Sequence, residues 1–174
     1  MNLPLLRAAL GALLLLLAPP QDQGASADPN RETFLTTGFE LGERGAVTLR
    51  YRTIAWSPDA WRALRREPEQ REQMNRRFGV ALQSELKTPI VLSVGGRRLE
   101  PGSWRIGVVM NEAGAFDLTL LVDGETKAVP MDLSESRQVF PYLSFTLVPA
   151  QDGLCALVFQ WGTEYGRVLL EAAR

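Results

Sequence analysis

Beyond residue 89 the chain keeps one rhythm almost to its end. Apolar residues recur at every second position, and turn residues interrupt them roughly every 8–12 residues. Trp104, Ile106, Val108 and Met110 share one parity; Phe116, Leu118, Leu120 and Val122 share the next. Period-two alternation puts one face of a strand in a core and the other in water. Gly95-Gly96 and Asp123-Gly124 are two-residue turns that tolerate positive φ, the chemistry of tight hairpins. The strand returning from Asp123-Gly124, about Thr126–Leu133, carries Pro130. Proline has no amide hydrogen to donate, so this strand belongs at a sheet edge. Residues 134–141 read as a loop. Leu143, Phe145 and Leu147 follow, then a turn at Asp152-Gly153, then Cys155, Leu157, Phe159 and Trp161 on one parity, with Val168 and Leu170 last. Ahead of position 89, Phe34–Leu41 is weakly strand-like, Val47, Leu49 and Tyr51 alternate with polar residues, and Ile90, Leu92 and Val94 alternate just beyond it. About nine strands with no alternating helices predict a mainly β fold, an antiparallel β-sandwich.

One stretch breaks the rhythm. Ser57-Pro58-Asp59 is a helix start, with serine at the N-cap and proline at the first helical position. Residues 58–82 are rich in Arg, Glu, Gln, Ala and Leu, with Glu67–Arg71 and Glu72–Arg76 spaced for helix-face pairs. Pro68 disfavours a helical Glu67, so the insert reads as two helices, 58–66 and 69–82. Trp61 and Leu64 make one small apolar stripe, Met74, Phe78 and Leu82 the other. Both are expected to dock on the sandwich. With so few buried side chains, the insert is expected to be its least stable ordered part and the surface that changes on meeting a partner.

Residues 1–27 read as a secretory signal peptide. Arg7 precedes an apolar run of 11 residues, Ala8–Ala18, which Pro19-Pro20 ends, and Ala25-Ser26-Ala27 offers a cleavage site. A membrane span needs about 20 apolar residues, so no transmembrane anchor is expected in the mature chain, and the expected location is periplasmic or extracellular. Residues 28–174 are then a single domain, long enough to bury a core without disulfides.

Composition narrows the chemistry. Histidine is absent and cysteine occurs once, which removes Ser-His-Asp and Cys-His catalysis, His-ligated metals and an internal disulfide. Lys plus Arg number 19 and Asp plus Glu 20, a net charge of -1, so nucleic acid is not an expected partner. No cofactor and no metal are expected. Cys155 shares the parity of Leu157, Phe159 and Trp161 and reads as core filler. Gly95-Gly96-Arg97-Arg98 lies between strand-like runs and reads as a hairpin with a wet basic flank, not a phosphate cradle. In the insert, six arginines (62, 65, 66, 71, 76, 77) interleave with Asp59, Glu67, Glu69 and Glu72, the pattern of a solvated face. Glu112 and Glu164 are read as residues of Gly-containing turns, where a carboxylate could act in glycoside hydrolysis. Trp56 and Trp61 flank the junction of strand and helix. With Arg62 they are the candidate binding residues for a sugar or peptide; the plainer reading is that both indoles pin the insert to the sheet.

Leu99-Glu100-Pro101-Gly102-Ser103-Trp104, after a strand ending in Gly95-Gly96, resembles the G-G-x-x-L-x-x-G-x-aromatic core of the bacterial exported family called domain of unknown function 2911. Leu157–Gly162 with Arg167–Leu170 is similar to that family's closing strand pair, and Trp61-Arg62 to a Trp-Arg segment ahead of its first core strand. The resemblance covers about residues 86–172. It implies a small exported β-sandwich with no established activity, and it transfers no catalytic residue. The expectation is a non-enzymatic binding or structural sandwich of the cell envelope, its partner an envelope protein or glycan. The alternatives are a carboxylate-based hydrolase of envelope carbohydrate or peptide, and a carbohydrate-binding module.

Overall fold

In the computed structural model the described residues form ten strands in two antiparallel sheets, a β-sandwich with a helical insert. The structure describes residues 34–80, 84–151 and 153–173. The signal-peptide reading, Leu82 and Asp152 lie outside them. The elements are β1 (Phe34–Glu40), a 3₁₀ turn (Gly42–Arg44), β2 (Ala46–Arg52), α1 (Pro58–Arg66), α2 (Pro68–Met74), a π-helical turn (Asn75–Val80), β3 (Ser84–Thr88), β4 (Leu92–Val94), β5 (Arg97–Leu99), β6 (Gly102–Met110), β7 (Phe116–Val122), β8 (Glu125–Pro130), β9 (Asp132–Pro149) and β10 (Cys155–Ala172). No helix among the described residues is long and apolar enough to cross a membrane.

One sheet runs β1-β2-β3-β6-β7-β8 and the other β5-β4-β10-β9. Both expected two-residue hairpins form. Gly95 and Gly96 take φ 56° and 76° between β4 and β5, and Asp123 and Gly124 take φ 51° and 78° between β7 and β8. Pro130 does sit on an outermost strand, β8. The core lies between the sheets. Val47, Leu49, Ile106, Phe116, Leu118 and Leu120 from the first face Leu92, Val94, Leu99, Phe145, Phe159 and Leu170 from the second. Rings bridge the layers: Phe116 meets Phe159 at 5.0 Å, and Tyr51 meets Phe145 edge-on at 5.3 Å. Cys155 is fully buried, as its parity implied.

Four readings need correction. Residues 134–141 are strand, the first half of β9, not a loop. This strand is the outermost of its sheet and most of that stretch faces water, so it shows no apolar alternation. Trp104 is half-buried, because β6 begins only at Gly102 and the indole reaches back to donate to the Glu100 carbonyl at 2.8 Å. Ile90 precedes β4. Pro89 forces a bend in which the Thr88 hydroxyl bonds the Ile90 backbone. The insert has three parts, not two: α2 stops at Met74 and a π-helical turn continues from Asn75.

The insert is docked. Leu64 and Met74 are buried, and Trp61 and Phe78 pack against the core from partly exposed positions. α1 starts where the sequence places it, with the Ser57 hydroxyl accepting from the Ala60 amide. At the other end the Asn75 side chain completes the end of β6. Its Nδ2 donates to the Met110 carbonyl at 2.9 Å and its Oδ1 accepts from the Met110 amide at 2.8 Å. Gly79 lies so close to β6 that an added Cβ would stand 2.1 Å from Val109 Cγ1, and its carbonyl accepts from the buried Thr119 hydroxyl at 3.1 Å.

Candidate functional site

The site begins with a change of parity in β10. Leu157, Phe159 and Trp161 point inward at odd positions; Glu164, Val168 and Leu170 point inward at even ones. The change falls at Gly162, whose φ of 62° suits glycine and whose bare Cα receives the Trp56 indole. A Cβ there would stand 2.2 Å from Trp56 Nε1. The pairing shifts at the same place. From Gln160 to Glu164 β10 advances four residues, while β9 advances nine from Ser144 to Glu135. The surplus in β9 is taken up by bulges on either side of Phe140, which still pairs with Gly162; this doubly bulged segment, the β9 arch, re-aims its side chains. The arch turns toward the segment after β2. Tyr142 bridges Ala55, the Pro141 carbonyl accepts from the Trp56 amide at 2.8 Å, and the Leu143 amide donates to the Ile54 carbonyl at 2.8 Å. At its crest Val139 and Tyr142 are 45% and 59% exposed.

The reset of parity corrects another expectation: Glu164 lies within β10, not in a turn, and only 6% of it is exposed. An unpaired buried carboxylate is costly, and here Arg65 from α1 reaches across to form an ion pair with Glu164 Oε1. Directly opposite in the ladder, on β9, stands the exposed Glu135. Burial pushes the Glu164 carboxyl above the usual carboxylate range; Arg65 draws it back and the Glu135 charge adds to the rise. The Arg65 guanidinium also lies 5.3 Å from the Trp61 ring. Trp61 in turn packs at 5.6 Å from Phe116 and edge-on at 5.3 Å from Trp161. The indole N–H groups of Trp56 and Trp161 are both buried, and neither has a hydrogen-bond acceptor among the described residues.

Of the three candidate binding residues, the structure brings Trp56 and Trp61 to this cluster and leaves Arg62 outside it. Arg62 is exposed on α1 and pairs with Asp59. Both indoles do hold the insert, Trp56 on Gly162 and Trp61 on Phe116 and Trp161. Sequence reasoning singled out Glu164, but as a turn residue, and counted Arg65 among the arginines of a solvated face; it missed the burial of Glu164, its pairing with Arg65 and the arch. The signal was present in the switch from odd to even apolar positions between Trp161 and Val168, with a glycine at the junction. Glu112 does lie in the β6–β7 turn and is exposed. Burial pushes the Cys155 thiol up to about 11, so it stays protonated at neutral pH. Among the described residues no group of three or more His, Cys, Asp or Glu is placed to hold a metal ion. No protein family, curated protein or solved structure matches the chain.

Proposed function

We propose that this chain is an exported, non-enzymatic β-sandwich of the cell envelope that binds an envelope polymer through the β9 arch. The arch carries the reading. It presents an aromatic and an aliphatic side chain, Tyr142 and Val139, to water on either side of the paired Phe140, beside Pro141 and the Trp56 strand–helix junction. An exposed ring presented from a rigid strand offers a stacking face at little entropic cost. The apolar run at residues 8–18 and the small residues at 25–27 support export, and the motifs around Leu99–Trp104 and Leu157–Leu170 support kinship with the exported family they resemble. Co-sedimentation of the purified chain with insoluble peptidoglycan tests the binding. The bound fraction should be substantial and should fall about tenfold when Val139→Ser and Tyr142→Ala are combined. Absence from the pellet, or a bound fraction the double variant does not change, would contradict the reading.

One observation favours the carboxylate hydrolase: Glu164 and Glu135 face each other across the ladder, and Glu164 is held toward its protonated form. Arg65, however, occupies the Glu164 carboxylate. Release of reducing ends from peptidoglycan, lost in Glu164→Gln, would move the assignment to that class.

A further inference from the structure

α1 is a nine-residue rigid body between two extended residues, Ser57 at φ −137°, ψ 129° and Glu67 at φ −110°, ψ 107°. Pro68 follows and keeps Glu67 extended. Element-terminal residues are where a helix that moves whole is jointed, and here the rotation falls on Ser57, since Pro68 restricts Glu67. Side chains fasten α1 to the sandwich: Trp61 in the aromatic cluster, Leu64 in the core and Arg65 on Glu164. The three groups it meets, Phe116, Trp161 and Glu164, are 1%, 6% and 6% exposed.

These groups form an unusual set for a core. Buried polar atoms normally find partners, yet the Trp161 N–H finds none among the described residues; the Trp56 N–H also lacks one, but it lies against Gly162 of β10 rather than under α1. A carboxylate stands with the Trp161 N–H and two aromatic rings supply faces. One fixed donor, one fixed acceptor and apolar faces complement a ligand whose polar groups both donate and accept. A hydroxyl does both. An anionic ligand would meet Glu164 and Glu135 as like charges, and a cationic one has nothing to offer an indole N–H.

We propose that α1 is a lid and that the surface beneath it binds a neutral oligosaccharide, whose hydroxyls accept from the Trp161 N–H and donate to the Glu164 carboxylate in place of Arg65. The inference deepens the proposed binding function by naming a ligand class and a second contact area, and it rests on that reading. The closed form shields the site, so apparent affinity is the open-state affinity reduced by the open fraction. Weakening the lid tightens binding; weakening the site loosens it.

Calorimetric titration of the full chain with cellohexaose and chitohexaose tests this. Arg65→Ala, which frees the lid, should tighten binding of at least one of the two about tenfold over the unaltered chain. Trp161→Phe keeps a ring but removes the donor, and should weaken it about tenfold. Hydrogen exchange should show α1 amides accelerated and the Trp161–Gly166 amides of β10 slowed by the same sugar. If neither sugar binds any of these proteins, the lid proposal is wrong. It is also wrong if a sugar binds but neither substitution changes the affinity, or if binding leaves α1 exchange unchanged. Peptidoglycan binding that depends on Tyr142, found together with any of those results, would leave the arch as the binding surface and remove only the lid.

Discussion

The two ends of the helical insert are fastened to the same sandwich by different physics. The π-helical turn is joined by hydrogen bonds that satisfy backbone groups: the Asn75 side chain bonds both the amide and the carbonyl of Met110, the Gly79 carbonyl accepts from the Thr119 hydroxyl, and Gly79 has no side chain to hold it off Val109. These contacts replace strand pairing at the end of β6 and leave buried backbone groups satisfied. α1 is joined through side chains: a half-buried indole, a buried leucine and one ion pair whose arginine is 42% exposed. Side chains can trade such contacts for water or a ligand at modest cost, whereas an abandoned buried backbone group needs another partner. One insert therefore has a fixed end and a releasable end, and the releasable end covers the polar cluster.

The largest effect should come from the fixed end. Asn75→Ala removes both bonds to Met110 and should lower unfolding free energy by about 2–4 kcal/mol in urea titration. Gly79→Ala forces a Cβ against Val109 and should cost about 1–3 kcal/mol in the same measurement, with the loss concentrated in the exchange protection of 75–80. If both changes are neutral, the π-helical turn is not an anchor. At the releasable end Arg65→Ala should cost only about 1 kcal/mol, because the pair is partly open to water, while α1 amides lose protection. A loss as large as that of Asn75→Ala would erase the distinction between the ends.

The smallest effect is a pH dependence. The native Glu164 carboxyl binds its proton more tightly than the unfolded one, since burial raises it while Arg65 from α1 only partly opposes this and Glu135 from β9 reinforces it. Its stabilising contribution is complete below the ordinary carboxylate value and is lost as pH rises through the raised one. Stability should therefore decline slightly over that interval, and Glu164→Gln should flatten the decline. A decline identical in Glu164→Gln would assign it to another group.

What the sequence disclosed was local. Ser57-Pro58 starts a helix, Pro68 divides the insert, and Gly95-Gly96 and Asp123-Gly124 turn hairpins because each depends on the dihedral preferences of a few neighbouring residues. The alternating runs located the core for the same reason. What stayed hidden depends on distant partners. Of residues 134–141, Ser134, Glu135 and Phe140 pair with β10 while most of the stretch faces water, so nothing in their own pattern marks a strand. Glu164 turns inward because Gly162 and the arch in β9 reset the register, and it is made tolerable by an arginine 99 positions earlier. Trp56 and Trp61 stood out as indoles beside a junction, but the residues they meet, Gly162 and Trp161, came from a strand that reads simply as core. The π-helical turn has no local signature, since its anchor is an asparagine meeting a strand 35 positions away.

Native-state hydrogen exchange, read separately for 58–66 and 75–80, addresses the difference between the two ends most directly. The account predicts that α1 amides exchange through a low-energy local opening, well before those of β6 and β10. The amides of the π-helical turn should exchange with the β6 strand it completes. Equal protection across the whole insert, or a π-helical turn that opens before α1, would contradict it.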